Sequence, residues 1–216
     1  MIWPFGNLPQ FRYGAILVDP PWRMKMYSVK GMGRSPDGPM KRAEQRQNNP
    51  ERHYATMALD DIKALPVGDL AATDCVLFMW AIDPMLPQAI EVGRAWGFTY
   101  KTVAFYWAKE RRVTSNRHKL HEDLDHKRFP IGTGYWTRSN PEQCLLFVCG
   151  TPKRTSAAVR KLIIAPRREH SRKPDYCKPA IERLVAGPYC ELFSRESRPG
   201  WDCWGLQADK FKEAAE

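Results

Sequence analysis

The segment best suited to chemistry in this sequence is an aspartate followed by two prolines and a tryptophan, Asp19-Pro20-Pro21-Trp22. The Asp19 carboxylate and the Pro20 carbonyl are two acceptors one residue apart. Together they can take both hydrogens of an exocyclic amino group on a planar base. An amine of that kind, as on adenine, is a poor nucleophile because its lone pair is delocalised into the ring. Holding both hydrogens draws the nitrogen toward tetrahedral geometry and frees the lone pair for attack on a methyl carbon. The prolines fix φ and remove competing N–H donors, so the acceptors are set before a substrate arrives. Trp22 can stack on a base turned out of its helix; flipping costs a few kcal/mol, and stacking on an aromatic returns roughly 1–3 of them. The same four residues also fit a plainer reading, a strand stopped at an Asp-Pro-Pro turn with Trp22 packed against the core. Their place directly after a buried strand, in a basic chain, favours the chemistry.

Elements that position such a site can be read from patterning. The run from Tyr13 to Val18 is apolar and partly β-branched, which predicts a buried strand ended by the prolines. Residues 57–65 predict a short helix with Asp60 and Asp61 in its first turn. Cys75 to Ala81 predicts a second buried strand. Residues 84–96 carry apolar side chains at helical spacing, and Gly97 closes that helix. Strands are expected over 100–107, 143–149, 163–165 and 189–193, with a helix over 174–185. Strands alternating with helices imply a single doubly wound α/β sheet. Two polar, basic stretches, about 27–52 and 109–130, interrupt the pattern after predicted strands. The ligand crevice of an open α/β sheet lies at such places, so both are expected to be substrate-contacting loops.

Composition bounds the partners. With 216 residues the chain is expected to form one domain spanning 1–216. The net charge of +10 and pI near 9.4 favour a polyanionic partner. The excess is concentrated: residues 23–52 hold eight Lys or Arg against three acids, 109–128 seven against four, and 153–173 eight against one. Arg34, Lys41, Arg42, Arg46 and Arg52 in the first loop are candidate phosphate contacts; a solvated loop is the alternative. No apolar stretch is long enough to cross a bilayer, and no basic-then-apolar leader opens the chain, so a cytoplasmic protein is expected. Six scattered cysteines without a Cys-x-x-Cys pair read as reduced, mostly buried thiols. His118, His121 and His126 lie among acids, but their spacing fits no common zinc pattern and no metal is expected.

The segment YGAILVDPPW (13–22) resembles the start of the MT-A70 family of adenine-N6 methyltransferases. The likeness continues in family order through 53–67, 75–81, 95–109, 132–150, 170–184 and 191–207, with gaps at the two basic loops, and is closest to the phage and bacterial branch. It implies a Rossmann-like methyltransferase fold that uses S-adenosyl-L-methionine, with the catalytic motif first and the cofactor strand last. That permuted order accounts for the lack of a Gly-x-Gly-x-x-Gly fingerprint after the first strand. In the family, the residues matching Asp19, Pro20, Pro21 and Trp22 hold the target amine, and the aspartate also lies near the cofactor's methionine part. The resemblance further implies cofactor contacts for Lys173, Glu191, Arg195, Ser197 and Gln207, and a base-pocket wall for Tyr135 and Trp136, which as bare residues also suit a core. A lysine just before the helix-starting Pro174 suits a carboxylate. Two positions depart from the family: Gly205-Leu206-Gln207 stands where relatives have Gly-Asn-Gln or Gly-Asn-Glu, and Ser197-Arg198 replaces the His-Asn of the eukaryotic form. The expected function is methyl transfer to adenine N6 in DNA, in a bacterial or phage-infected cell. An RNA enzyme, or a non-catalytic partner subunit, is the alternative. A homo- or heterodimer is compatible with either, and no membrane partner is expected.

Overall fold

The computed structural model describes residues 3–23, 56–111, 128–130, 136–167 and 172–205. Its frame is a seven-stranded sheet: β1 (Tyr13–Val18), β2 (Ala71–Ala81), β3 (Thr99–Glu110), β4 (Glu142–Cys149), β5 (Leu162–Pro166), β6 (Tyr189–Leu192) and β7 (Trp201–Trp204). The spatial order is β5-β3-β4-β2-β1-β6-β7. β4 runs antiparallel to both of its neighbours, and the remaining pairs are parallel. The described α-helices are α1 (Leu59–Lys63), α2 (Leu86–Ala95) and α3 (Cys177–Leu184).

Both faces of the central strands are covered, which is why those strands are apolar without alternation. On one face Ile62 of α1 and Ala89 and Val92 of α2 pack with Ile16, Val18, Leu77 and Met79. On the other, Cys177, Ala180 and Ile181 of α3 pack with Ala15, Leu17, Val76 and Phe78. At Gly93 a Cβ would come within 2.3 Å of the Phe147 ring, so the missing side chain lets α2 sit close on β4. Gly97 ends α2 with φ +87°; its N–H donates to the Arg94 carbonyl at 2.9 Å, and the Phe98 N–H donates to the Gly93 carbonyl at 3.0 Å. These two bonds form the glycine-closed helix terminus expected at this position.

The doubly wound sheet agrees with the reading of the sequence; it differs in the antiparallel run of β4, in the start of β2 at Ala71 rather than Cys75, and as follows. Trp201–Trp204 pairs with β6 as an edge strand that patterning does not reveal, because four residues rich in tryptophan show no alternation. Lys109 and Glu110, read as the start of a basic loop, belong to β3, where they pair with Ala165 and Pro166 of β5. The helices are also one to three residues shorter at each end than their apolar spacing suggests. No described helix is long and apolar enough to cross a membrane. All six cysteines are free, four of them buried.

The order around β1 locates a crevice. From β1 the chain moves to β2 by way of α1, on one face, and enters β6 by way of α3, on the other. The connections therefore diverge at β1/β6, and ligands of open α/β sheets bind outside the carboxyl ends of the strands at such a switch point.

Candidate active site

Asp19 follows the last residue of β1 and so stands at the carboxyl edge, at this switch point. Pro20 and Pro21 end the strand by removing ladder donors. The Trp22 N–H folds back on the Pro20 carbonyl at 2.8 Å, and Pro21's carbonyl accepts from the Met57 N–H at 3.0 Å. The Pro20 carbonyl thus keeps one lone pair for a further donor. Trp22 is 6% exposed and its indole N–H donates to the Trp80 carbonyl at 3.2 Å. In this arrangement Trp22 packs as a fixed wall behind Asp19, and its ring is not presented to solvent for stacking.

A chain of alternating charges leads to Asp19. Lys109 Nζ lies 2.6 Å from Glu142 Oε1, Glu142 Oε2 lies 2.9 Å from Lys173 Nζ, and Lys173 Nζ lies 3.2 Å from Asp19 Oδ1. The antiparallel insertion of β4 brings this about. Glu142 opens β4, and because β4 runs against its neighbours that first residue lies beside Trp107, at their carboxyl ends. Lys173 also sits 5.3 Å above the Trp80 ring, and Lys109 5.4 Å above the Trp107 ring.

The titration of these acids follows from their partners. Burial pushes the Asp19 carboxyl above the usual range; Lys173 and Arg195 pull it back, and the neighbouring Glu142 charge adds to the rise. Burial acts on Glu142 in the same direction, but two ammonium groups outweigh it and hold that carboxyl down at about 2. Lys173 is raised, since the two carboxylates outweigh its own burial. One anion with two cations is therefore firmly charged, and the anion with one close cation is poised.

At the end of β6 a second polar group faces the same crevice. Glu191 accepts from Lys178 Nζ at 2.9 Å and from Ser194 Oγ at 2.5 Å, both on Oε2, and among the described residues no donor reaches Oε1. Burial raises this carboxyl, against Lys178 and Ser194. Ser194 is itself anchored, its N–H donating to the Trp204 carbonyl at 2.9 Å. Arg172 forks onto Glu196, Nε at 3.2 Å and Nη2 at 2.7 Å. Arg195 is close enough to act on the Asp19 charge.

The structure thus brings Asp19, Pro20, Lys173, Glu191 and Arg195 to one crevice. Ser197 is exposed on the loop beyond Arg195. Trp136 is fully exposed, in the left-handed region at φ 44°. Tyr135, Gln207, Arg34, Lys41, Arg42, Arg46 and Arg52, together with Leu206 and the three histidines, lie outside the described residues.

Patterning did not single out Lys109, Glu142, Lys178 and Asn140. Asn140 precedes β4 and uses its whole amide: Nδ2 donates to the Lys109 carbonyl at 2.9 Å and to the Pro130 carbonyl at 2.8 Å, and Oδ1 accepts from the Lys109 N–H at 3.1 Å. The side chain continues the ladder past its last backbone pair and fixes Lys109 beneath Glu142. A lone acid or amide between a turn proline and an apolar strand gives little local signal of such a role.

A family model described as MT-A70 matches residues 13–207. The type II methyltransferase M.MunI of a Mycoplasma species is 34% identical over 209 residues, covering 94% of this chain and 81% of that protein. The N(6)-adenine-specific methyltransferase METTL4 of Mus musculus is 28% identical over 219 residues, 93% of this chain and 38% of that protein. The N(6)-adenosine-methyltransferase catalytic subunit METTL3 of Homo sapiens is 26% identical over 210 residues, 92% of this chain and 28% of that protein. The chain spans most of the bacterial relative's length and well under half of each mammalian one.

Proposed function

The chain belongs to the MT-A70 family, and on that premise we propose that it is a single-domain methyltransferase that transfers a methyl group from S-adenosylmethionine to the N6 amino group of adenine in DNA. The observation that carries the reading is the Asp19 carboxylate, held at the sheet's switch point by Lys173 with the Pro20 carbonyl beside it. DNA is preferred to RNA because the bacterial relative, a type II methyltransferase, matches over most of its own length.

The donor set suits the cofactor. Among the described residues Lys173 spends two of its three N–H donors, on Asp19 and Glu142, so the third can serve an amino-acid carboxylate. Glu191 Oε1 is placed to accept from a ribose hydroxyl, and Arg195 adds positive charge at the same end of the sheet. Bound S-adenosylmethionine would supply an electrophilic methyl on a cationic sulfur.

What the chain's own residues do follows from geometry. Asp19 accepts one N6 hydrogen and the free lone pair of the Pro20 carbonyl accepts the other, so the nitrogen's lone pair points away from both. Trp22 keeps the Pro20 peptide from turning, through its own N–H and its indole. Lys173 fixes the rotamer of Asp19 and favours its ionised form. No strong base is required, since the proton leaves a cationic product amine. Acceleration comes from positioning and from acceptors set in advance.

The test is nucleoside analysis. Wild-type protein and Asp19→Ala are incubated with S-adenosylmethionine and unmethylated duplex DNA, single-stranded DNA or RNA, and N6-methyladenine is quantified by mass spectrometry. The expected result is N6-methyladenine in DNA, reduced at least about 10³-fold in Asp19→Ala, in line with the loss of a preset transition-state contact. A mark confined to RNA would change the polymer, and no mark from folded protein would overturn the reading.

A further inference from the structure

We propose that the open side of the sheet along β5 is a second nucleic-acid contact surface, which takes an unpaired strand flanking the target base. The proposal rests on the nucleic-acid methyltransferase reading above, and concerns a different part of the molecule.

Among the described residues β5 is the end strand of the sheet, paired with β3 alone. Tyr106 of β3 is in register with Leu162, so their side chains share one face, and Ile164 follows two residues on. Trp107 and Ile163 point the other way, into the buried core. Tyr106 is 41% exposed, Leu162 57% and Ile164 46%, and these are half of the six large exposed hydrophobic side chains among the described residues. Elsewhere the same face is covered by α1 and α2; here nothing described covers it.

This apolar strip is framed by cations. Arg160 and Lys161 precede β5 and Arg167 follows it, all three exposed. Among the described residues none is paired with a carboxylate; Lys161 Nζ reaches only the Thr102 hydroxyl, at 3.3 Å. Residues 151–167 contain no Asp or Glu. The acid nearest along the strand pairing, Glu110, already holds Arg128 at 2.7 Å.

Charge decides the occupant. A second copy of a chain carrying +10 would set cation against cation on this edge. A polyanion is attracted instead. The apolar strip then discriminates further: an aromatic and two aliphatic side chains between phosphate-binding cations suit bases whose faces are free, as in a single strand. A duplex hides those faces.

The position fits a flank rather than the target. β5 lies four strand positions from β1, about 19 Å at roughly 4.8 Å per strand. That equals about five or six steps of a stacked strand at roughly 3.4 Å each. A strand with one base at Asp19 can therefore lay its flank on β5.

The experiment measures binding and methylation of single-stranded deoxyoligonucleotides with three or twelve nucleotides on each side of the target, and of the matching duplexes. The proteins are wild type, Tyr106→Ala and the double variant Arg160→Glu/Lys161→Glu. All altered side chains are exposed, and thermal unfolding checks that the fold is kept. We expect the long single strand to bind wild type about tenfold tighter than the short one. Each variant should lose most of that advantage, the charge variant with a shallower salt dependence, while methylation of the short strand stays at wild-type level. Equal binding of the long strand by all three proteins would overturn the proposal. So would a loss seen only with duplex, or a change in sedimentation showing that the strip joins two copies. Absence of methylation on every oligonucleotide by wild type would count against the enzymatic reading, and the binding comparison would still decide the surface.

Discussion

The two edges of the sheet treat their polar groups in opposite ways. At the amino edge several polar contacts are simple pairs: Tyr13 Oη donates to Asp202 Oδ2 at 2.8 Å, the Thr151 N–H to Asp74 Oδ1 at 2.7 Å, and Thr155 Oγ1 to the Arg183 carbonyl at 2.7 Å. At the carboxyl edge charges are shared. Glu142 lies between two lysines, Lys173 between two carboxylates, and Glu191 between Lys178 and Ser194. Shared, half-buried charges are poor devices for stability, because desolvation offsets most of their attraction. They are useful where a ligand must meet a field already in place. On the proposed function, the amino edge holds the sheet together and the carboxyl edge is the one arranged to meet a ligand.

Removing the cation that serves both carboxylates should break this contrast most sharply. Lys173→Met is expected to lower kcat/KM by about 10²–10³-fold, as for loss of one preset electrostatic contact. Its fold should survive, since Glu142 keeps Lys109 and Asp19 can protonate. Steady-state kinetics alongside thermal unfolding checks this; a collapse of stability with activity intact would reverse the roles assigned to the two edges.

Acidification should separate the two carboxylates at the carboxyl edge. The accepting form of Asp19 is ionised and its pKa is raised, so activity should fall about tenfold per pH unit, beginning at a higher pH than an exposed aspartate would give. In Lys173→Met that limb should move further up. Glu142 is shifted the other way, from 4.5 to about 2. Its contribution to stability is present above about pH 4.5 and is lost as pH falls through about 2. A rate profile and a melting curve against pH should therefore have acid limbs at different places.

Asn140→Ala probes how the lysine end of the charge chain is held. It leaves the Lys109 and Pro130 backbone groups without their amide partner. A loss of about 1–3 kcal/mol of stability is expected, with kcat down about tenfold. A merely structural role would leave the acid limb of the rate profile in place; a positioning role shifts it.

Tyr13→Phe, at the amino edge, should do least. It removes one hydrogen bond, whose partner Asp202 is solvent-exposed, and should cost about 1 kcal/mol, or roughly 2–4 °C in Tm. Methyl transfer should be unchanged.

Much of this was legible in the chain. Thirteen-to-eighteen as a buried strand, the proline stop after Asp19, and Gly97 as a helix terminus are local facts of residue type, and the structure repeats them. β7 was not legible, since Trp201–Trp204 becomes a strand only by pairing with β6. Lys109 reads as loop in isolation because its neighbours are charged; pairing with Ala165 makes it strand. Trp22 could be read as a free stacking surface or as packing, and the Trp80 carbonyl that fixes it is 58 residues away.

By itself, then, the sequence determined the alternation of strands and helices, the placement of an aspartate and two prolines at a strand end, and the basic excess. These depend on side-chain shape, φ restriction and charge, all of which are local. The tertiary structure decided that β4 runs antiparallel, so that Glu142 opens at the same edge as Asp19. It decided that Lys173, 154 positions after Asp19 in the numbering, lies 3.2 Å from it. It also decided that the cations around β5 stand on an uncovered edge. Those outcomes depend on long-range pairing and register, in which each residue's role is set by a partner that its own neighbours do not specify.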